Sequence, residues 1–258
     1  DVHHTYFNPV IKGYYPDPSV CRKGDTYYLV NSSFAYYPGI PIFKSTDLVN
    51  WQQIGHVLNR PSQLNLDGLP ISAGIYAPAI EYNPHNDTFY LITTCVGGIH
   101  NFLVTSRNPE QGWSDPIVLP KVGGIDPSLF FDDDGKVYLF YGTGQLRQLK
   151  SDLSDVEPGG IDQKIFERDA DEQGLLEGSQ AFKHNGRYYV MMISMDWSIP
   201  GRLRREVCYR ADQITGPYEK KVILETEFQG YGGVGQGCIV DTPDGNWYGF
   251  IFQDRGGI

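Results

Sequence analysis

One pattern recurs five times along this chain. Each copy begins with a small or acidic residue and continues through a short apolar stretch, a polar turn and an aromatic-rich stretch. The copies are DPSVCRKGDTYYLVNSS from Asp17, APAIEYNPHNDTFYLITT from Ala77, DPSLFFDDDGKVYLFYG from Asp126, EGSQAFKHNGRYYVMMIS from Glu177 and QGCIVDTPDGNWYGFIFQ from Gln236. Such repeats restrict the chain to architectures in which one structural unit is copied and stacked.

The copies start 60, 49, 51 and 59 residues apart. This interval fits a hairpin followed by two more strands, which together make a four-stranded propeller blade. Candidates for the added strands lie at 41–58, 101–119, 146–166 and 205–224. We therefore predict an all-β, five-bladed β-propeller forming a single domain over residues 1–258. A β-sandwich or a β-helix fits these intervals less well.

The fifth repeat is shorter than the other four. Only DRGGI follows its aromatic-rich stretch, and the sequence ends at Ile258. A propeller blade needs two further strands. We therefore expect the fifth blade to be incomplete in this sequence and the natural chain to continue.

The charge balance excludes some classes of partner. The chain has 31 acidic and 21 basic residues, a formal net charge of −10. A polyanion would be repelled, so nucleic acid is not expected as a partner. No apolar run approaches the roughly 18 residues needed to span a bilayer, so a membrane is not expected either. The sequence does not indicate the oligomeric state.

Three of the five repeats begin with an acid. The first strand of each blade lines the central channel, so residues at one repeat position converge there. That ring reads Asp17, Ala77, Asp126, Glu177 and Gln236. Carboxylates close together in a narrow channel repel one another and lose solvation, which is a cost that a purely structural protein has little reason to carry.

Blade order suggests roles for the three acids. Blades three and four are neighbours, whereas blade five separates blades one and four, so Asp17 should face Glu177 across the opening. Hydrolysis of a glycoside with inversion needs an acid and a base about 6.5–9.5 Å apart, with room for water. We predict Asp17 as general base and Glu177 as general acid. Asp126 would orient Glu177 and raise its pKa by like-charge repulsion.

The segments YYPDPSV, GIYAPAIEYN, GGIDPSLFFDDDGKVYL and LLEGSQAFKHNGRYYV resemble the blade-opening motifs of glycoside hydrolase family 43. The resemblance implies a five-bladed propeller that removes xylose or L-arabinose units from plant polysaccharides by inversion. It also implies that the acids of the first, third and fourth blades are the base, the pKa modulator and the general acid. These positions are Asp17, Asp126 and Glu177, in agreement with the interpretation from blade order. A polymeric substrate and the absent initiator Met favour a secreted or periplasmic protein, with the cytoplasm as the alternative.

Two motifs depart from the family pattern. Many relatives have Gly-His-Gly in the fifth blade, where the His helps to hold a channel ion, usually calcium; here the motif is Gly-Gln-Gly, centred on Gln236. We expect no required cofactor, while the Gln oxygen allows a structural Ca²⁺ in the channel near Gln236. Many relatives also follow the acid with Gly-Pro-His, where this chain has Gly-Ser-Gln at 178–180.

Sugar sites use aromatic faces against the C–H edges of the ring. We predict substrate contacts for Phe34, Tyr76, Trp197 and Tyr231, which lie near the acidic motifs, and for Arg255 at the channel mouth. Phe34 resembles a family position that lines the subsite for the terminal sugar.

Other polar and sulfur-containing residues receive structural interpretations. The four cysteines are far apart and form no C-x-x-C pair, so we expect small buried side chains, with the disulfide state left open. The acid run Asp132, Asp133 and Asp134 precedes Gly135 and is interpreted as a solvated turn.

Several functions remain open. The leading hypothesis is an inverting exo-glycosidase that releases terminal β-D-xylose or α-L-arabinofuranose from xylo- or arabino-oligosaccharides. The alternatives are an endo-arabinanase and a non-catalytic carbohydrate-binding propeller. An interaction scaffold of the Trp-Asp repeat type and a retaining fructosidase fit less well, because the chain lacks their motifs.

Overall fold

The computed structural model describes residues 5–225, 227 and 229–254. The described residues form β-strands joined by turns and loops, without a helix. None of these residues therefore belongs to a helix that could cross a membrane.

The strands form four antiparallel sheets of four strands, each in chain order, and one sheet of two strands. Blades one and two consist of β1 (Ser19–Lys23), β2 (Thr26–Val30), β3 (Gly39–Ser45), β4 (Gln52–Leu58), β5 (Gly74–Asn83), β6 (Thr88–Val96), β7 (His100–Ser106) and β8 (Ile117–Val118). Blades three and four consist of β9 (Ser128–Phe131), β10 (Val137–Tyr141), β11 (Gln145–Leu149), β12 (Asp162–Lys164), β13 (Gly174–His184), β14 (Arg187–Asp196), β15 (Arg205–Ala211) and β16 (Glu219–Leu224). The two-stranded sheet consists of β17 (Val234–Asp241) and β18 (Trp247–Gln253).

Local sequence accounts for the hairpins that open the blades. Between β13 and β14, Asn185 and Gly186 both have positive φ, 48° and 73°, which is the Asn-Gly turn that suits the twist of a tight hairpin. The register there pairs His184 with Arg187, leaving two residues in the turn. The strands predicted after each of the first four hairpins are all present.

The first strand of each sheet contacts the first strand of the next. These contacts join β1 to β5, β5 to β9, β9 to β13 and β13 to β17, and β17 in turn contacts β1. Apolar cores fill the spaces between neighbouring sheets; Ile80 and Phe89, for example, lie in the core between blades one and two. The fold is an all-β propeller, with four complete blades.

The ring closes between blade one and the two-stranded sheet. The Arg22 guanidinium donates to both carboxylate oxygens of Asp241 at 3.0 and 2.9 Å. The Val20 N–H donates to the Cys238 thiol sulfur at 3.2 Å. Cys238 and the other three cysteines are free, and all but the half-buried Cys208 are buried, as the sequence interpretation expected.

The interpretation of Asp132 as a solvated turn residue is wrong. Its side chain is buried, and it accepts hydrogen bonds from Lys183 at 2.7 Å and from the Tyr188 hydroxyl at 2.5 Å, both in blade four. Asp133 and Asp134 are exposed, as expected. The repeat pattern places Asp132 in a hairpin turn but cannot show that the neighbouring blade covers it.

Candidate active site

Irregular backbone marks the ring position in every sheet. Asp17, Ala77 and Asp126 have left-handed φ values of 53°, 38° and 54°, and Gly178, directly after Glu177, has 73°. Register shifts interrupt the first strand of blade two between Tyr76 and Ala79 and the first strand of blade four between Glu177 and Gln180. A third shift lies between Val234 and Gly237. Non-glycine residues in this conformation are uncommon and concentrate at functional sites.

Asp17 is half-buried and is linked through Ser32 to the first strand of blade two. Its Oδ2 accepts from the Ser32 hydroxyl at 2.6 Å, and Ser32 Oγ in turn accepts from the Ala77 N–H at 2.7 Å. Burial raises the pKa of Asp17, while the Ser32 hydrogen bond and the positive charge of Arg204 lower it. Asp17 therefore combines partial burial with two groups that favour its carboxylate form.

Asp126 is the most buried of the three acids, at 5% exposure. Burial and the charges of Glu177 and Asp17 raise its pKa well above the ordinary carboxyl value, against a hydrogen bond from the Gly178 N–H. Its Oδ2 has no hydrogen-bond partner among the described residues. Asp126 thus favours its neutral form and is tied to the backbone directly after Glu177.

Glu177 is half-buried on β13. Burial, followed by the negative charge of Asp17, raises its pKa, and the positive charge of Arg168 lowers it. Asp126 and Glu177 also repel each other, and this repulsion contributes to the raised pKa of Asp126. Each of the three acids is close enough to the others for their charges to interact, so they titrate as a coupled group.

Two of the predicted aromatic contacts lie next to the acids. The Phe34 ring packs against Tyr76, with centroids 5.2 Å apart and planes at 80°, and against exposed Tyr14 at 6.1 Å. Phe34 itself has a φ of 49° and pairs through its backbone with Ile75. Burial and the charge of Asp17 raise the pKa of Tyr14, so this aromatic cluster borders the base.

The other predicted contacts are more scattered. Trp197 is 67% exposed, and its ring lies over Gly174 at the start of β13. Tyr231 lies at the edge of the two-stranded sheet, where its carbonyl accepts from Gln253 at 3.3 Å. Arg255 falls outside the described residues.

Sequence reasoning missed three polar residues in this region. Ser32 bonds Asp17, while Arg204 and Arg168 act electrostatically on Asp17 and Glu177. Both arginines lie in connections between strands, outside the repeated segments, so the alignment of the repeats did not identify them. Ser32 follows the second strand of the first repeat, and this position is only a weak indication that its side chain bonds an acid.

The channel near Gln236 offers oxygen atoms of the type that calcium prefers. The Gln236 side chain lies against Gly178, because a Cβ built on that glycine would be 2.4 Å from Gln236 Cδ. Asp126 Oδ2, Ser128 Oγ and Ser179 Oγ are buried without a partner among the described residues. The Gln236 amide oxygen is the group here whose chemistry suits the predicted ion.

A separate acidic group lies outside the channel. Asp169, Asp171 and Glu172 offer ligand atoms within 4.8 Å of one another. Lys220 Nζ lies 2.8 Å from Glu172, and Arg205 lies 2.9 Å from Asp171. These cations neutralise the acids, so the group is an ion-pair cluster.

Comparison with known proteins agrees with this geometry. The family model described as glycosyl hydrolases family 43 matches residues 6–256. The chain belongs to glycosyl hydrolase family 43. A family 43 protein retrieved from a capybara gut metagenome has 42% sequence identity to this chain. Its crystal structure matches with a TM-score of 0.83, and the match covers 98% of this chain and 50% of that chain.

Two curated relatives have similar levels of sequence identity to this chain. A xylosidase/arabinosidase of Butyrivibrio fibrisolvens is 38% identical over 96% of this chain and 51% of its own length. A xylan 1,3-beta-xylosidase of a Vibrio species is 36% identical over 95% of this chain and 49% of its own length. The chain therefore spans about half the length of the curated relatives it matches.

Proposed function

We propose that this protein is an inverting exo-glycosidase that releases terminal β-D-xylose or α-L-arabinofuranose from xylo- or arabino-oligosaccharides. The observation that carries the proposal is an asymmetry between two acids that interact electrostatically. Burial raises the pKa of both Asp17 and Glu177 and a cation opposes it in each, but only Asp17 accepts a side-chain hydroxyl hydrogen bond, and the charge of Asp17 further raises the pKa of Glu177. When the environments of two carboxyl groups act differently on their pKa values, the group that is more easily ionised is assigned as the base and the other as the acid.

In the proposed reaction, the Asp17 carboxylate accepts a proton from the water that attacks the anomeric carbon. The glycosidic C–O bond breaks as the new C–O bond forms on the opposite face of the sugar. Glu177 donates its proton to the departing oxygen, so that the products are a free pentose of inverted configuration and the shortened chain. Asp126 holds the backbone after Glu177 through the Gly178 N–H.

The names of the relatives support a pentose substrate, since they include a xylosidase/arabinosidase and a β-xylosidase. Phe34 and Tyr76 add an aromatic surface near Asp17 on which a sugar ring can stack. An endo-arabinanase would need an open cleft for a long chain, and a binding propeller would not need opposed acid and base environments.

We further propose that the propeller has five blades within one domain and that β17 and β18 are the inner strands of the fifth. Their contacts with both β13 and β1 support this assignment. A structural calcium ion near Gln236 is also proposed, because the Gln236 side chain carries an amide oxygen of the type that calcium prefers and lies against Gly178 of blade four. Metal analysis of the purified protein tests it.

The test of function compares full-length wild type with Glu177→Gln on two kinds of substrate. p-Nitrophenyl β-D-xylopyranoside and α-L-arabinofuranoside release nitrophenolate, which leaves without protonation, whereas xylobiose and arabinobiose need an acid. We expect the variant to lose about 10²–10⁴-fold in kcat on the disaccharides and less on the nitrophenyl glycosides. Asp17→Asn should lose activity on the disaccharides and on the nitrophenyl glycosides alike, because both need the base.

Proton NMR of the first sugar released reports the stereochemistry directly. Inversion predicts α-xylose from a β-xyloside before mutarotation. A folded wild type that binds the oligosaccharides but turns over neither substrate class would favour the binding propeller. Release of oligosaccharides alone from linear arabinan would favour the endo-arabinanase.

A further inference from the structure

Arg168 connects the entrance of β13 to blade three. Its Nη1 donates to the Gly174 carbonyl at 2.6 Å, and its Nη2 donates to Thr143 Oγ1 at 3.2 Å. Thr143 Oγ1 then donates to the carbonyl of Leu176 at 2.8 Å. Leu176 directly precedes Glu177, so these three bonds fix the backbone that carries the acid.

The segment that presents Arg168 is itself anchored. The next residue, Asp169, donates its N–H to Glu172 Oε2 at 3.1 Å. Glu172 is fully buried, and its Oε1 accepts from Lys220 Nζ at 2.8 Å. Removing one partner from such a buried pair is costly, so the backbone beside Arg168 is held firmly even though the Arg168 side chain is exposed.

The charged and titratable groups around Glu177 come from four elements. Asp17 precedes β1 of blade one, Asp126 precedes β9 of blade three, and Arg168 lies in the connection before β13. Glu206 lies in the same row of the blade four sheet, because both it and Glu177 pair with Ile193. Burial raises the pKa of Glu206 well above its ordinary value, which favours its neutral form.

We propose that Arg168 is a positioning residue for Glu177, which braces the start of β13 and keeps a positive charge beside the acid. The inference rests on the proposed role of Glu177 as general acid. Burial and Asp17 both hold the proton on Glu177, and an acid that holds its proton too strongly donates it poorly. Arg168 opposes these two effects, and its exposed side chain does so in a manner that salt can screen.

The test is the pH dependence of kcat/KM on the disaccharide that the wild type hydrolyses. Arg168→Met should move the alkaline limb, which reports loss of the acid's proton, upward by about 0.5 pH unit or more at low salt. In 1 M salt the difference should shrink, because the Debye length falls to about 3 Å. Arg168→Lys keeps the charge and should leave the limb near its wild-type position, with a lower kcat because it cannot brace both partners.

Arg187→Met is the matched control. Arg187 lies in blade four, at the hairpin turn between β13 and β14, where it pairs with exposed Asp212 at 2.9 Å, away from the three acids. The control removes the same net charge and should not move the alkaline limb. An equal shift in Arg187→Met, or an unmoved limb in an active Arg168→Met enzyme, overturns the proposal.

A second readout does not depend on catalysis. Carbon-13 NMR of glutamate side chains, with the Glu177 signal assigned by its absence in Glu177→Gln, gives the titration midpoint of the acid. Arg168→Met should raise that midpoint relative to wild type, and a midpoint that stays in place contradicts the inference. Loss of the proposed function would instead appear as a wild type and a Glu177→Gln variant with the same activity.

Discussion

At the scale of single residues, the carboxyl group of Asp17 is subject to opposing influences. Burial favours its neutral form, while the Ser32 hydroxyl and the Arg204 guanidinium favour the charged form that a base requires. Ser32 also accepts from the Ala77 N–H, so one side chain links the base to the next blade. The protonation state of Asp17 therefore depends on Ser32, a residue that takes no direct part in the proposed reaction.

Ser32→Ala should raise the pKa of Asp17, since burial remains and the donor is lost. The base must be ionised, so the acidic limb of the kcat/KM profile should move to higher pH, with activity lost first at low pH. Ser33→Ala is the matched control, because Ser33 Oγ accepts from the Ile40 N–H at 3.0 Å and does not bond an acid. It should cost about 1 kcal/mol of stability without moving the limb. An unmoved limb in Ser32→Ala would show that this hydrogen bond does not tune the base.

At the scale of the elements, a single glycine permits the close approach of a loop to the first strand of blade two. Gly74 opens β5 with a φ of 90°, and a Cβ there would lie 2.1 Å from the Phe34 carbonyl oxygen. The Ile75 N–H donates to that oxygen at 3.0 Å, which fixes the loop carrying Phe34. The aromatic pair of Phe34 and Tyr76 depends on this contact.

Gly74→Ala should lower the free energy of unfolding by more than about 2 kcal/mol, because a left-handed φ and a steric clash add together. It should also raise KM by displacing Phe34. Gly135→Ala is the control: its φ is 83°, but no atom lies near the added Cβ, so only the conformational cost of about 1–2 kcal/mol applies. Chemical denaturation and steady-state kinetics measure both effects, and equal losses in the two variants would count against the clash.

At the scale of the whole molecule, side chains join blades that the backbone connects only through loops. Asp132 of blade three accepts from Lys183 and Tyr188 of blade four. Burial alone would raise the pKa of Asp132, but these hydrogen bonds outweigh it and lower the pKa. The buried carboxylate is therefore charged and depends on its partners in blade four.

Lys183→Met should destabilise the protein by about 2 kcal/mol, because it leaves Asp132 charged, buried and without its cation. The stability difference should decrease as the pH falls and Asp132 becomes protonated. Lys136→Met is the control, since Lys136 pairs with exposed Asp134 at 3.7 Å and should change stability by less than about 0.5 kcal/mol. Urea unfolding at several pH values separates the two, and identical curves would mean that the cross-blade pair contributes nothing.

The sequence by itself determined the repeat, the strands and the set of three acids. Each repeat carries its own alternation and turn residues, so local physics is sufficient to place the hairpins that open the blades. Because one repeat position maps to one place in a propeller, the approach of Asp17, Asp126 and Glu177 also followed from spacing. Cys21, Cys95 and Cys238 lie within these apolar strands, so their burial was predictable as well.

Tertiary structure alone decided which charges act on these acids. Burial depends on what the neighbouring blade covers, so Asp132 became a buried ion-pair partner and Asp126 became the most buried of the three acids. Arg168 and Arg204 come from connections without repeat register, and their distances to the acids depend on how those loops pack. A carboxyl pKa reflects burial and nearby charges in space, and neither quantity is encoded in sequence spacing.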